Sequence, residues 1–329
     1  MKKIVIRRTG NPAVLETLNV PEPVPGENEV LVGLKAVGLN WSEVMIRRGD
    51  WPIPIANGFT PGCEGAGVVE QAGAAVEDLH PGDPVIVLDF LAYLVEGQGC
   101  YAEKIIVSRD KILKFPANLD FTEAAATPMA ALTAFDALIN HSPLPESGTI
   151  VVTACTGAVG IAALQIAKRK NLRVIGTTRS EKKKSFVQSL GVEAVAAPGP
   201  GALKEKVAGL VGESGIDYVF DPVNGETASQ LLSLMNFNGT FVEYGAQSGN
   251  QFQVPPEFLF HQVRIHGYVV LRNLENPATL QSVWNEVLPL IETRDLAIPV
   301  AKTFPLAQAS QAHQAFEDHK HFGKLVLVP

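Results

Sequence analysis

Cysteine is scarce in this sequence, with three in 329 residues: Cys63, Cys100 and Cys155. Three scattered cysteines build neither a disulfide framework nor a structural zinc ribbon. Each reads as a small buried apolar residue in a reducing compartment. Positive charge is also short: the net charge is −7, and no clustered basic stripe offers a nucleic-acid surface. A local basic pocket for a phosphate is still allowed. No apolar run approaches the ~18 residues of a membrane span. The opening residues, Met1-Lys2-Lys3-Ile4-Val5-Ile6-Arg7-Arg8, hold no stretch suited to a signal peptide. A cytoplasmic protein with no membrane or nucleic-acid partner is expected. What is present is globular, with 46% hydrophobic and 19% charged residues. The length exceeds what one hydrophobic core usually sustains, so two domains are expected.

The first part of the chain, residues 1–122, sets short β-branched runs between Gly- and Pro-rich turns, the pattern of an irregular β domain. Strands are predicted over 3–8, 29–38, 63–72, 84–89 and 102–108. Turns of Pro, Gly and an acid, such as Pro25-Gly26-Glu27 and Pro81-Gly82-Asp83, precede several of them. Near Phe121 the pattern changes. Thr122 and Glu123 lead an Ala-rich run to Leu138 that reads as a capped helix, and strands then alternate with helices through 123–270. Six strands (149–154, 173–178, 194–197, 218–221, 240–245, 264–270) with helices at 159–170, 181–190, 203–211 and 226–235 predict a doubly wound parallel sheet, a Rossmann domain. The remainder, 271–329, offers helices at 280–292 and 306–318 and a strand at 324–328. It is too short to fold alone and is expected to return to the first domain, making that domain discontinuous.

The strand at 149–154 runs into Cys155-Thr156-Gly157-Ala158-Val159-Gly160 and then an amphipathic helix. Glycines there let backbone approach a pyrophosphate, and the helix N-terminus offers free N–H groups with a partial positive charge. Two glycines three apart also occur in ordinary strand-to-helix turns; the setting inside a long β-α alternation favours a dinucleotide site. The end of the next strand reads out which dinucleotide. An acid there would hold the 2′-OH of NAD, but this chain has Thr178-Arg179-Ser180-Glu181-Lys182-Lys183. Arg179 can fork onto a 2′-phosphate and Lys183 can add a point charge, so NADPH is the expected cofactor. The lysines at 182–184 read equally well as a solvated helix face, which leaves Arg179 to carry the preference. Thr156, Gly157, Ala158, Val159, Gly160, Thr178, Arg179 and Lys183 form the cofactor-binding set expected from this loop and strand end.

These segments, together with Asn40-Trp41-Ser42-Glu43, Pro61-Gly62-Cys63-Glu64-Gly65-Ala66-Gly67-Val68, Gly99-Cys100-Tyr101-Ala102-Glu103, Asp221-Pro222-Val223-Asn224-Gly225 and His321-Phe322-Gly323-Lys324-Leu325, resemble the medium-chain dehydrogenase/reductase superfamily over essentially the whole chain. Within it the resemblance is to the zinc-free quinone oxidoreductase and enoyl-thioester reductase branch. It implies an α/β fold: a GroES-like β-rich catalytic domain made by both ends of the chain, plus the Rossmann domain with its six-stranded parallel sheet, and an active site in the cleft against it. It also implies further cofactor contacts at Thr133, Tyr244, Gly245, Ala246 and Val270, and a homodimer made by edge pairing of the strand near 264–270. Zinc members carry Cys near Asn40 and His near Cys63. This chain lacks both and the four-cysteine structural site, so no metal is expected, since a catalytic zinc wants three protein ligands. Without that Lewis acid, the chemistry left is hydride delivery to an electron-poor C=C in a quinone, an enone or an enoyl thioester.

The chain departs from its relatives at the proton donor. Tyrosines often found near the nicotinamide fall at Met45 and Trp51 here, and neither side chain is a useful acid. Both are expected to line the substrate pocket. Another common tyrosine position holds Pro198. The catalytic candidates that remain are Asn40, whose amide could hold substrate or ribose or merely cap the following helix, and Thr133, whose hydroxyl could reach the nicotinamide. None of His261, His266, His313, His319 and His321 is assigned a role; most are expected at the surface or at caps. Two substrate classes stay open, free quinones or enones and enoyl groups carried on CoA or an acyl-carrier protein, as in a synthase domain. In the second, an enolate without a proton donor could take another fate, such as closing a three-membered ring if a γ leaving group were present. An NADPH-binding protein without turnover is the alternative of another kind. Substrate contacts are expected in the loops at 49–60 and 90–99.

Overall fold

The computed structural model describes residues 1–51, 58–90, 94, 96–249 and 251–329. Of the two loops expected to touch substrate, residues 52–57 of the first and 91–93 and 95 of the second therefore lie outside the described residues. The chain divides into two compact units, Met1–Met129 with Leu274–Pro329, and Ala130–Asn273.

The first unit opens with β1 (Lys2–Ile6), paired antiparallel with β2 (Leu15–Asn19). It continues through β3 (Glu29–Gly38), α1 (Trp41–Arg48), β4 (Glu64–Ala72), β5 (Pro84–Leu88), β6 (Lys104–Ser108), β7 (Ile112–Lys114) and α2 (Phe121–Ala126). Turn chemistry behaves as expected: Gly82 takes φ 102°, and Asp83 accepts the His80 N–H at 2.7 Å. The cap of α2 is Asp120, not Thr122. Asp120 accepts the Glu123 N–H at 2.8 Å, while Glu123 accepts the Asp120 N–H at 3.2 Å, a reciprocal capping box. The helix expected to run on to Leu138 is also broken. Pro128 has no N–H to bond backwards, so it starts a fresh helix, α3 (Pro128–Phe135), whose last turns widen into a π-helix over Asp136–His141.

The second unit contains β8 (Gly148–Val152), α4 (Ala158–Lys168), β9 (Leu172–Thr178), α5 (Glu181–Ser189), β10 (Glu193–Ala196), α6 (Pro200–Val211), β11 (Ile216–Asp221), α7 (Gly225–Leu232), β12 (Met235–Glu243), α8 (Glu257–Phe260), β13 (Arg264–Gly267) and α9 (Val270–Asn273). Its six strands are parallel in the order β10-β9-β8-β11-β12-β13. The order reverses between β8 and β11, and the crevice at the carboxyl ends there is where such sheets bind ligands. Ile150, Val151, Val152, Val219 and Phe220 are fully buried in the central strands, as parallel strands covered on both faces must be. Two boundaries differ from expectation. The helix predicted to reach Met235 stops at Leu232, because Met235 begins β12 and pairs with Ile216 of β11. The last strand stops at Gly267, and Val270 opens α9 instead.

The chain then returns to the first unit with α10 (Pro277–Glu292), β14 (Val300–Pro305), α11 (Ala309–Glu317) and β15 (Lys324–Val328). Asn276 caps α10, accepting from the N–H groups of Ala278 and Thr279. β15 pairs antiparallel with β3, matching Val326 to Gly38 and Leu327 to Val37. This gives a seven-stranded sheet, β14-β15-β3-β4-β5-β7 with β6 also on β3. Both ends of the chain thus build one β-rich body and its middle part builds a separate α/β body, the fold class expected. No helix among the described residues is long and apolar enough to cross a membrane.

Candidate functional site

The glycine loop sits at the carboxyl end of β8. Gly157 is the N-cap of α4, so the N–H groups of Ala158, Val159 and Gly160 have no partner within the helix. The two glycines do different work. A Cβ on Gly160 would lie 2.6 Å from Cys155 Cα and 2.9 Å from the Ala154 oxygen, so glycine is required for the loop to pack under its helix. A Cβ on Gly157 would meet only the Ala154 oxygen, at 3.6 Å. The protein leaves that space clear, and a phosphate could use it. β9 ends on the buried Thr178, followed by exposed Arg179. Lys183, from the first turn of α5, reaches back to within 3.5 Å of Thr156 Oγ1. Burial pulls the Lys183 ammonium below its usual range, and the positive charge of Arg179 adds to that pull. An anion placed between these two cations would relieve both effects.

The carboxyl ends of β11 and β12 add an acid pair that sequence reasoning missed. Asp221 and Glu243 sit opposite each other in register. Asp221 accepts from Thr153 Oγ1 across the crevice and from the Asn224 N–H at 2.7 Å. Burial raises both carboxyls, Glu243 to about 9 with the Asp221 charge adding, so Glu243 keeps its proton at neutral pH. Beyond it, Tyr244 stacks on Phe220 with ring centroids 4.1 Å apart, and a Cβ on Gly245 would press the Pro222 oxygen at 2.8 Å. Thr133, on α3, and Val270, at the head of α9, are buried.

In the first unit, Asn40 ends the loop after β3 and is the N-cap of α1. Its backbone N–H donates to the Glu43 carboxylate, part of a capping box at the head of α1. The amide also has partners outside the helix. Lys324 Nζ donates to Asn40 Oδ1 at 2.6 Å, and Asn40 Nδ2 donates to Glu64 Oε1 at 2.9 Å. Lys324 and Glu64 pair directly at 2.5 Å, both almost wholly buried. The other Glu64 oxygen accepts the Met129 N–H at 2.8 Å. Cys63 Sγ and Glu43 Oε1 each lie 3.4 Å from Asn40 Nδ2. Burial raises Glu43 to about 7, against the bond from the Asn40 backbone and the Lys324 charge. Burial also holds the Cys63 thiol far above its ordinary range.

Met45 lies half-buried on α1, and Trp51 half-buried in the bend beyond it, its indole Nε1 enclosed. Neither joins the Asn40 network. Glu43, Glu64 and Lys324 do, and sequence reasoning had quoted them only within motifs. A lysine at the head of a closing apolar strand was the available signal. His313 also corrects an expectation. It is fully buried, 3.0 Å from the Tyr101 hydroxyl, and burial holds its ring to about 3. It is a neutral core histidine. All three cysteines are free and buried.

Comparison with known proteins places this geometry. Residues 26–117 match the alcohol dehydrogenase GroES-like domain, and residues 158–293 match the zinc-binding dehydrogenase domain. The chain is 30% identical to the quinone oxidoreductase of Pseudomonas aeruginosa, covering 100% of this chain and 99% of that protein. The chain belongs to the quinone oxidoreductase branch of the medium-chain dehydrogenase/reductase superfamily. The Escherichia coli quinone oxidoreductase complexed with NADPH superposes with a TM-score of 0.90 at 26% identity, covering all of both chains. A segment of the partially reducing polyketide synthase tpeA of Talaromyces stipitatus is 29% identical over 99% of this chain, which spans 13% of the synthase.

The name of the second domain raises the question of zinc, and the Asn40 cluster does not fit it. Its cation is the Lys324 ammonium, its thiol is held protonated by burial, and an amide stands where a third anionic or imidazole ligand would be needed. Among the described residues no three His, Cys, Asp or Glu side chains gather as a metal site.

Proposed function

We propose that this member of the quinone oxidoreductase branch is a zinc-independent, NADPH-dependent reductase that delivers hydride to quinones and enones. The observation that carries the reading is the end of β9. There Arg179 and Lys183 gather positive charge beside Thr156 and the open Gly157, with no carboxylate at the strand end to prefer a 2′-OH.

NADPH supplies the hydride when bound. The N–H groups of Ala158, Val159 and Gly160, with the α4 dipole, would hold its pyrophosphate. Arg179 and Lys183 would take the 2′-phosphate, with Thr178 and Thr156 beside them. Tyr244, Gly245, Ala246, Val270 and Thr133 complete the proposed cofactor contacts, and Met45 and Trp51 are proposed pocket walls. Asn40 and Thr133 are the proposed catalytic residues. Neither Met45 nor Trp51 can protonate a reduced acceptor. A quinone suits such a pocket, since its reduced anion is stable enough to take protons from water. The polyketide synthase segment supports a second reading, in which the acceptor is an enoyl thioester on a carrier. A cytoplasmic homodimer is proposed with it; β13 lies at the sheet edge, where strand pairing between copies could occur.

The test follows NADPH absorbance with a naphthoquinone, an enone, and crotonyl thioesters of CoA and acyl-carrier protein, each repeated with NADH. Turnover with NADPH and a quinone or enone is expected, and Arg179→Ala should raise the KM for NADPH on the order of tenfold to a hundredfold. Equal use of NADH would remove the cofactor reading. Turnover of the thioesters alone would favour the second acceptor, and NADPH binding without any turnover would leave a binding protein.

A further inference from the structure

At the carboxyl end of the parallel sheet, Asp221 on β11 and Glu243 on β12 stand side by side in register. Their carboxyls lie within hydrogen-bond reach of each other. Two buried carboxylates repel, so such a contact holds only with a proton between them. The surroundings decide which acid carries it. Asp221 is wholly buried and accepts from the Thr153 hydroxyl, from the Asn224 N–H at 2.7 Å and from the Val223 N–H. Among the described residues Glu243 accepts the Gly245 N–H alone, at 3.4 Å, and its enclosed Oε2 has no N–H or O–H to accept from. Donors favour the charged form of the group they bond. Asp221 is therefore the acceptor and Glu243 Oε2 the donor, which gives that enclosed oxygen a use.

The pair lies at the root of two stretches of backbone that are tied to each other. The Asp221 carbonyl accepts the Tyr244 N–H at 2.9 Å, Pro222 accepts from Gln247 at 3.1 Å and Val223 from Ser248 at 2.9 Å. Asn224, whose N–H the Asp221 carboxylate holds, has a φ of 62°, a left-handed conformation that needs such support. We propose that Glu243 is a positioning residue: its protonated carboxyl donates to Asp221, and this bond keeps the turn at 221–225 and the segment at 244–248 in the arrangement that presents Tyr244, Gly245 and Ala246 to the cofactor. The inference rests on the proposed reading of those residues as cofactor contacts. Without the proton, the bond becomes a repulsion at the root of both stretches. Burial and the Asp221 charge place that loss at about 9. The other titratable groups close by, the Tyr244 phenol and the Cys155 thiol after β8, are held protonated by burial beyond that point.

The experiment compares the intact wild type with Glu243→Gln and Glu243→Met. Glutamine keeps an N–H for Asp221 and an oxygen for the Gly245 N–H, with no proton to lose; methionine has no donor. Urea denaturation without cofactor tests the shared proton. The folded protein keeps a proton that the unfolded chain releases above pH 4.5. Wild type should therefore lose stability relative to Glu243→Gln from pH 5.5 to 8.5. A constant difference overturns the proposal. NADPH titrations followed by fluorescence test the positioning. At pH 7.5 Glu243→Gln should bind within about threefold of wild type, and Glu243→Met about tenfold more weakly. From pH 7.5 to 10 wild type should lose about fivefold to tenfold relative to Glu243→Gln. The titration of Lys183, whose ammonium burial pulls down, is common to both proteins and cancels in that ratio. Equal pH profiles, a glutamine variant as weak as the methionine one, or a methionine variant that binds as wild type does would each overturn the proposal. In all of these, NADPH turnover by wild type leaves the functional reading standing. Wild-type protein that binds no NADPH at any pH would remove that reading and the positioning role with it.

Discussion

The glycine loop of the second unit and the Asn40 cluster of the first are both polar sites, yet they are built on opposite terms. At the loop, the backbone N–H groups at the head of α4 lack partners within the helix, two cations stand nearby, and Gly157 keeps its space clear. Around Asn40 each charge is answered within the protein: Lys324 by Glu64, Glu64 also by Met129, the amide by both. The first site is incomplete by itself and suits an anionic ligand. The second is nearly saturated, and it can offer a ligand little beyond one oxygen lone pair. The comparison shows that a buried charged cluster need not be the place where charge is used on a substrate. Here it serves to orient a neutral side chain.

The contrast can be broken most forcefully at Lys324. Lys324→Met leaves Glu64 buried without its counter-ion and should destabilise the protein by about 3–5 kcal/mol. Adding Glu64→Gln should return most of that, since neutral groups carry a far smaller burial cost. Arg179→Ala, at the exposed site, should change stability by no more than about 0.5 kcal/mol. Urea denaturation of the three variants checks the ranking. Similar stability for Lys324→Met and wild type would mean that the cluster is wetter than its geometry indicates.

The two glycines of the loop sharpen the comparison within one site. Gly160→Ala forces a methyl against Cys155 Cα and the Ala154 oxygen, both backbone and unable to yield. Overpacking of this kind costs up to about 3 kcal/mol, of which helix propensity returns about 1. Gly157→Ala meets only a contact at 3.6 Å and has an ordinary φ of −79°. It should leave stability almost unchanged but weaken NADPH binding by about tenfold or more, because the methyl enters the space proposed for the pyrophosphate. Thermal melts with and without NADPH separate the two. If Gly157→Ala binds as wild type does, the pyrophosphate lies elsewhere.

The same contrast explains what could be read before the structure. The loop and its cations lie within residues 155–183, on consecutive elements whose order in the chain is their order in space. The Asn40 cluster joins residues as far as 284 positions apart, and no local pattern connects Lys324 to Asn40. The parallel strands were legible because β8 and β11 are mostly buried and carry the apolar runs Ile150-Val151-Val152 and Tyr218-Val219-Phe220. β2 and β14 were not, since Leu15–Asn19 and Val300–Pro305 are short, mix polar with apolar residues and are largely exposed. His313 was misjudged for a related reason. Its helix carries polar letters, and the Tyr101 hydroxyl that buries it comes from 212 residues away.

Glu43 is where the saturated cluster is weakest, and pH exposes it. Burial raises its carboxyl from 4.5 to about 7, so the folded protein holds this proton more tightly than the unfolded chain does. The stability that comes from the bound proton is therefore complete below pH 4.5 and is lost as pH rises through about 7. By pH 8 the folded protein must bury an ionised Glu43 close to Glu64, with Lys324 already engaged by Glu64. Glu43→Gln stays neutral throughout and can still accept the Asn40 N–H through its amide oxygen. Relative to wild type, it should gain roughly 2 kcal/mol on going from pH 5 to pH 8. Denaturation at the two pH values measures this directly, the difference between proteins cancelling the titration of every other group. A gain that is the same at both values would show that Glu43 is already ionised at pH 5, and that the Lys324 charge compensates it as fully as it does Glu64.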